Sequence, residues 1–417
     1  MTDEHSAPGA GGVLVIGGGI SGLTAALEAA EVGKDVFLIE RNPYMGGRVA
    51  QLNQYFPKLC PPSCGLEINY KRIKNNRRIR MYTMTEVKGI EGSAGNFTVT
   101  LETKPRYVNN NCVACNACAE VCPQERDNTF NFNLNKNKAA YKPHDHAFPM
   151  KYVIDMDVCD KCGKCVEACK YDAIELDMEG KTFTVSVASI VWATGWTPYD
   201  PTNMDNLKYN ESNAIITNMQ MERLAAANGP TEGKILRPGD NKEPENIAFV
   251  QCAGSRDENH LEYCSYICCM ASLKQITYVR EQYPEAKISV FYIDLRTPGK
   301  YEKFREKIMA DENVTFVKGK VAEIVPEADG GVTVVAENAV TGEKVHQKVD
   351  LAVLATGMEP NAKDGAFDLT MDNYGFIITD EDKGMIAAGC AKKAADVVTS
   401  AQNSTAAAMK AIQASRR

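Results

Sequence analysis

At 417 residues, with 44% hydrophobic and 24% charged side chains, the chain is long enough for two or three cores and has an ordinary globular composition. Its formal charge of −7 argues against non-specific nucleic-acid binding, and no run approaches the roughly 18 uncharged apolar residues that span a bilayer. The 15 cysteines follow a small, polar N-terminus with no secretory pattern, which points to metal ligation or redox chemistry rather than structural disulfides.

Val13–Ile16 is a short β-branched run that predicts a buried parallel strand. It leads directly into Gly17-Gly18-Gly19-Ile20-Ser21-Gly22, a G-x-G-x-x-G turn. Leu23–Val32 then has helical character, and Asp35–Ile39 predicts a second strand ending in Glu40. Gly17, Gly19 and Gly22 permit a tight turn and close approach of backbone to a pyrophosphate, whose charge sits at the helix N-terminus beside Ser21. Glu40, 18 residues after Gly22, is placed to accept from a ribose hydroxyl. The turn alone does not separate FAD from NAD.

Three further features favour FAD. Glu40-Arg41 is followed by Gly46-Gly47-Arg48, which resembles the pattern after the ribose acid in flavoproteins with two dinucleotide domains. Ala193-Thr194-Gly195 and Ala355-Thr356-Gly357 each close an apolar strand, as paired A-T-G segments do in that family. Gly384-Met385-Ile386-Ala387-Ala388-Gly389 resembles the family's C-terminal flavin motif, with the small-residue helix Ser400–Ile412 after it. In most relatives an Asp follows that last glycine and contacts the ribityl chain; here the residue is Cys390, leaving its backbone amide for that contact.

Between the β-rich stretches Thr98–Thr103 and Thr182–Trp192 stand two cysteine runs. Cys112-x2-Cys115-x2-Cys118-x3-Cys122-Pro123 matches the bacterial ferredoxin ligand run, and Cys159-x2-Cys162-x2-Cys165-x3-Cys169 repeats it. Such a run gives three thiolates to one [4Fe–4S] cube and its fourth to the other. The expected sets are therefore Cys112, Cys115, Cys118 with Cys169, and Cys159, Cys162, Cys165 with Cys122. Zinc ribbons pair their cysteines differently. Lys170 stands where proline usually follows the last cysteine, and the long gap between the runs predicts a surface loop with His144 and His146 solvated.

Asn246–Gln251 and Lys287–Ile293 predict the first two strands of a second dinucleotide unit, but no glycine fingerprint lies between them. The chain instead reads Cys252-Ala253-Gly254-Ser255-Arg256, then Cys264-x3-Cys268-Cys269 opening a helix over Met270–Glu281. On a helix Cys264 and Cys268 share one face. With Cys269 and Cys252 they form a candidate third [4Fe–4S] site; a buried reduced group and a redox disulfide are the alternatives. Cys60-Pro61-Pro62-Ser63-Cys64 remains, either a redox dithiol near the flavin ring or a loop-shaping or partner-facing pair.

These motifs, with Glu40–Arg48, Asp294-Leu295-Arg296-Thr297-Pro298-Gly299 and Ala388-Gly389-Cys390, resemble the A-type subunit family of heterodisulfide reductase over nearly the whole chain. In length the chain is similar to the family's members in quinone-interacting membrane-bound oxidoreductase complexes of sulfate reducers. The resemblance implies an α/β fold: two dinucleotide-binding (Rossmann-like) domains of the FAD/NAD(P) disulfide-reductase type with an inserted α+β ferredoxin-like 2[4Fe–4S] domain. The expected parts are an FAD-binding domain over 1–105, the insert over 106–180, the FAD-binding domain again over 181–240, a degenerate second dinucleotide domain over 241–350, and the C-terminal flavin part over 351–417. It further implies FAD, two clusters and a third at Cys252, Cys264, Cys268 and Cys269. The implied function is electron transfer between the menaquinone pool and adenylylsulfate reductase. The implied partners are a haem-bearing membrane subunit together with a second flavin/iron–sulfur subunit, through which a cytoplasmic chain would associate peripherally with the membrane. The alternatives are an A-type subunit in a flavin-bifurcating complex, and a stand-alone NAD(P)H-dependent reductase, which needs the glycine turn that Cys252–Arg256 does not supply.

Overall fold

The computed structural model describes residues 11–362 and 367–415; the polar start of the chain lies outside them. The chain divides into two compact units, one formed by the residues up to Trp196 together with those from Pro360 onward, the other by Thr197–Glu359.

In the first unit a five-stranded parallel sheet runs in the order Met385–Ala387, Ser189–Trp192, Val13–Ile16, Val36–Glu40, Ile79–Thr83. Alternation along the central strands sorts the side chains. Val13, Val15 and Val191 face the helices Ile20–Glu31 and Val397–Ala414, while Leu14, Phe37, Ile39 and Ile190 face an antiparallel three-stranded sheet. The two helices approach through Ala25, Ala26, Ala29, Ala407, Ala408 and Ala411, all buried.

The cysteine-rich segment grows out of that antiparallel sheet. Asn96–Thr103 pairs with Lys181–Val187, and Thr103 and Lys181, the last and first ladder residues, are direct partners. The insert therefore leaves and re-enters at one ladder rung. Its base is closed by the Val108–Ile174 bridge, and two short helices, Ala117–Glu120 and Lys164–Ala168, carry part of its cysteine runs.

The second unit repeats the plan. Its parallel sheet runs Ile215–Thr217, Leu351–Thr356, Asn246–Ala253, Lys287–Tyr292, Val314–Lys318, with a three-stranded antiparallel sheet spanning Val321–Val349. The expected continuation of the flavin domain to residue 240 is not what forms: Ile215–Thr217 pairs with Leu351–Thr356, so 197–240 belongs to the second unit, as do residues 351–359. The expected helix carrying both Cys264 and Cys268 also differs. The helix is Cys268–Gln282, and Cys264 lies in the loop before it, where Tyr266 takes a left-handed φ of 67° that a helix cannot continue through.

Candidate functional site

The first strand of the first unit ends in a turn that only glycine fits. Gly17 has φ 108°, and a Cβ there would meet the Ala193 carbonyl oxygen at 2.3 Å; a Cβ on Gly22 would meet the Gly17 carbonyl oxygen at 1.7 Å. Gly19 differs: a Cβ there would meet only the Gly47 Cα at 3.8 Å, so its outer face is open. Gly19 is also the N-cap of Ile20–Glu31, which has no side-chain cap and no acid in its first turn. Unspent helix N-terminal amides beside an open glycine suit a pyrophosphate.

Around this turn the sequence-predicted residues converge unevenly. The Gly18 amide donates to Glu40 Oε2 at 2.7 Å, while Oε1 accepts from the Asn42 backbone and side chain, leaving the carboxylate a lone pair for a hydroxyl. Burial pushes the Glu40 carboxyl up, against those hydrogen bonds and Arg41. Arg41 itself is exposed. The Gly46–Gly47 segment crosses the turn, Gly46 donating to the Gly18 carbonyl at 2.8 Å. The Arg48 guanidinium is partly buried, and the desolvation lowers its pKa; it donates to the Trp196 carbonyl and Gln51, and stands over the Phe132 and Trp196 rings at 5.6 and 5.9 Å.

Ala193-Thr194-Gly195 follows the neighbouring strand, and the Thr194 hydroxyl is buried without a partner among the described residues. Gly389, at φ 56°, sits so close to Ser21 that a Cβ would meet its hydroxyl at 1.9 Å, which brings the C-terminal motif onto the fingerprint turn. Cys390 turns inward, its thiol 3.4 Å from the Ala395 carbonyl and 3.6 Å from the Ser400 hydroxyl, so its side chain is spent on the fold. Gly357 is not part of this group: it belongs to the second unit, enclosed by Ser255, Leu261 and Ser265.

In the insert the two cysteine runs fold as one loop used twice. Ala114 and Lys161, each two residues after its first cysteine, have φ 57° and 56°; Asn116 and Gly163, two further on, have 76° and 78°. Non-glycine residues rarely hold positive φ, so Ala114, Lys161 and Asn116 in these matched positions mark a loop shape demanded by what it encloses. Cys118 and Cys165 are buried in a small apolar core, and Cys112, Cys122, Cys159 and Cys169 pack against it. Cys115 and Cys162 are exposed. Cys122, Cys159, Cys162 and Cys165 line one cavity, the expected crossed set. Backbone amides of Lys161 and Ala173 donate to the sulfurs of Cys159 and Cys169 at 3.4 Å. Burial pushes the Cys118 thiol up to about 12, so only a bound cation would hold it as thiolate. His144 is not the solvated residue expected: its ring stacks on Phe130 at 4.5 Å and meets Tyr44 edge-on at 5.1 Å.

The insert packs on the nucleotide segment itself. Gln51 donates to the Phe130 carbonyl, Met45 to the Phe148 carbonyl at 2.8 Å, and Phe148 stacks on Tyr70 at 4.8 Å. Arg106 donates to the Pro43 carbonyl and to the Thr83 hydroxyl while lying near Cys112.

In the second unit the parallel strand order reverses between Leu351–Thr356 and Asn246–Ala253, the crevice where open α/β sheets bind ligands. Four further cysteines gather there. Cys252, at φ 57°, is the next-to-last residue of one strand, where its register shifts; Cys268 and Cys269 begin the following helix. Cys252, Cys269 and Cys264 all act electrostatically on Cys268, whose Sγ lies 3.6 Å from the Thr356 carbonyl at the end of the other strand. The Cys269 sulfur faces the Asp294 carbonyl, and Tyr266 N–H donates to Cys264 Sγ at 3.3 Å. Burial pushes the Cys252 thiol up to about 11. Among the described residues no three His, Cys, Asp or Glu side chains close on a single-ion site; a four-iron cube, being wider, takes its thiols further apart.

A buried ion pair in the same unit has no signature in the sequence. Lys274 and Glu222 meet at 3.0 Å, with side chains 5% and 2% exposed, and Gln275 and Tyr278 also reach the carboxylate. The partners are remote in sequence, so no local pattern announces them. Cys60 and Cys64 flank the start of the helix Pro62–Asn75, Cys64 exposed, both near the Tyr55 hydroxyl.

Known proteins resemble this chain in sequence and in fold. The family model for FAD dependent oxidoreductases matches residues 12–134, and that for 4Fe-4S binding domains matches 152–175. Thioredoxin reductases of T. acidophilum and Lactococcus lactis share the fold, with TM-scores of 0.55 and 0.54 at 14% and 16% identity, covering 97% of this chain and 98% and 99% of theirs. An iron-sulfur A-type subunit of CoB–CoM heterodisulfide reductase from Methanopyrus kandleri is 41% identical over 83% of this chain and 54% of its own. The A-type subunit of the H(2):CoB-CoM heterodisulfide,ferredoxin reductase from Methanothermobacter marburgensis is 36% identical over 83% of this chain and 53% of its own. The chain spans about half the length of these curated relatives. With a flavin fingerprint, a ferredoxin insert and this identity, the chain is an oxidoreductase of the heterodisulfide reductase A-type subunit family.

Proposed function

We propose that the chain is an electron relay that holds one FAD at Gly17, Gly19, Ser21, Gly22, Glu40, Gly47, Arg48, Thr194 and Gly389, and [4Fe–4S] clusters at its cysteines. Two clusters sit in the crossed sets of the insert; a third takes Cys252, Cys264, Cys268 and Cys269. A flavin accepts electrons in pairs and releases them singly, and cubane clusters carry single electrons. The observation that carries the reading is the packing of the insert on the nucleotide segment, through Gln51, Met45 and Arg106. Within the first unit the protein's own work is to hold the insert's clusters against the flavin segment and to keep water from the buried thiols.

The second unit favours electron entry and exit through proteins over nicotinamide. Where a dinucleotide would place its pyrophosphate it has Cys252, Cys268 and Cys269. The specific donors and acceptors proposed are the menaquinone pool and adenylylsulfate reductase, reached through a haem-bearing membrane subunit together with a second flavin/iron–sulfur subunit; resemblance alone supports them. Among the described residues no helix is long and apolar enough to cross a membrane. A second reading, membership of a flavin-bifurcating complex, is favoured by relatives whose names pair heterodisulfide with ferredoxin.

Anaerobically purified protein tests the relay. About 12 iron per FAD is expected for three clusters and about 8 for two. Reductant-dependent cluster signals should appear with flavin reduction, and NADH alone should not bleach the flavin. Near-zero iron, or rapid bleaching by NADH, overturns the reading.

A further inference from the structure

Gln251 is 2% exposed, and neither end of its side-chain amide has a hydrogen-bond partner among the described residues. Ser272 is 1% exposed, and its hydroxyl is equally without one. Native interiors rarely tolerate such groups, and each implies something polar that occupies the adjoining space. Both belong to the second unit, on the elements that carry the cysteine group.

Strand alternation gives Gln251 its direction. Ala248 and Val250 face the core shared with the three-stranded sheet, so Gln251 points to the opposite face, against which the helix Cys268–Gln282 packs. Ser272 stands four residues after Cys268 on that helix. Helical side chains lean toward the N-terminus, which sets the Ser272 hydroxyl on the Cys268 side. The residue after Gln251 is Cys252, bent by its left-handed backbone out of the regular ladder. Two unpartnered buried donors therefore lie one residue from Cys252 and one helical turn from Cys268, on the two elements that carry three of the four cysteines.

We propose that the Gln251 side-chain N–H and the Ser272 hydroxyl donate hydrogen bonds to the sulfurs of the cluster held by Cys252, Cys264, Cys268 and Cys269, and so raise its reduction potential. The inference rests on the third-cluster reading above. Each added electron makes the cluster more negative, and donors aimed at its sulfurs stabilise the reduced form more than the oxidised one. Such donors also fix the ligand rotamers, as outer partners do at metal sites generally. Gln251 and Ser272 are positioning residues in this account; neither touches a flavin or a substrate.

The test uses the full chain, purified anaerobically with its clusters, and the variants Gln251→Met and Ser272→Ala. Methionine keeps length and volume but has no donor; alanine removes only the hydroxyl. Both are expected to keep wild-type iron and flavin content. In a redox titration followed by electron paramagnetic resonance, one cluster signal should move to a more negative midpoint in each. For Gln251→Met the reduced-to-oxidised ratio at fixed potential should fall about tenfold, about 59 mV for one electron. Ser272→Ala should move the same signal less, and Ser272→Thr should restore it. Unchanged midpoints in both variants at full iron overturn the proposal, leaving Gln251 and Ser272 to ordered water alone. Loss of iron in Gln251→Met with an unmoved midpoint in Ser272→Ala overturns it as well. The underlying reading fails separately: if the double variant Cys252→Ala/Cys268→Ala, which leaves no ligand atom at either position, retains every iron of the wild type, no cluster is there.

Discussion

At the scale of single residues, the fingerprint glycines and the buried ion pair carry the sharpest consequences. A methyl group on Gly22 would sit 1.7 Å from the Gly17 carbonyl oxygen, within the turn that must stay open for a pyrophosphate. Gly22→Ala should therefore release the flavin and cost about 1–3 kcal/mol of stability. Gly89→Ala, whose new methyl would find Thr100 at 3.9 Å in the antiparallel sheet, should change neither. The flavin-to-protein absorbance ratio and a thermal melt read both effects, and a flavin-replete Gly22→Ala would remove this turn from the cofactor site. Lys274–Glu222 is a different case, because its members are buried charges. Removing one strands the other in the interior, at a cost of about 3–5 kcal/mol, whereas replacing both with apolar residues recovers much of that loss. Glu222→Leu should thus melt well below the double variant Glu222→Leu/Lys274→Met. Equal melting points would mean that solvent reaches the pair.

At the scale of elements, the two ferredoxin loops make the ligand assignment testable. Cys122 belongs in sequence to the first run, yet it lines the cavity of the second with Cys159, Cys162 and Cys165. Cys122→Ser and Cys162→Ser should perturb the same cluster signal in electron paramagnetic resonance, and Cys115→Ser the other. Pairing of Cys122→Ser with Cys115→Ser would sink the crossed arrangement. These loops were legible in the sequence because cysteine spacing is itself the geometric constraint; so were the fingerprint glycines, where sterics leave one residue type. Other features were hidden for physical reasons. Ile215–Thr217 is too short to show which sheet it joins, and only its pairing with Leu351–Thr356 assigns it to the second unit. Cys264 and Cys268 have helical spacing, but the chain between them passes through Tyr266 in a left-handed conformation that spacing cannot reveal. His144 reads as a loop residue in the sequence, because Phe130 and Tyr44, which close on its ring, are remote or unpatterned along the chain.

At the scale of the whole molecule, the same two-layer plan occurs twice, and the difference between the copies is chemical. The first keeps a glycine turn for a nucleotide, and the second fills the equivalent crevice with thiols. Into the first copy an entire second redox module has been added without breaking the sheet, because Thr103 and Lys181 are direct ladder partners. A two-residue Asn-Gly hairpin could close that rung in place of 104–180. The shortened chain should bind FAD and lose about 8 iron, leaving about 4 if the cysteines of the second unit hold a cluster. It should also melt several degrees lower, since Phe148 no longer covers Tyr70 and Gln51 loses the Phe130 carbonyl. Iron analysis, flavin absorbance and a thermal melt on one preparation separate these outcomes. A shortened chain that folds but cannot hold FAD would show that the insert completes the flavin site. The contact responsible would then be Arg48, whose guanidinium rests 5.6 Å above Phe132 and would lose that face with the insert.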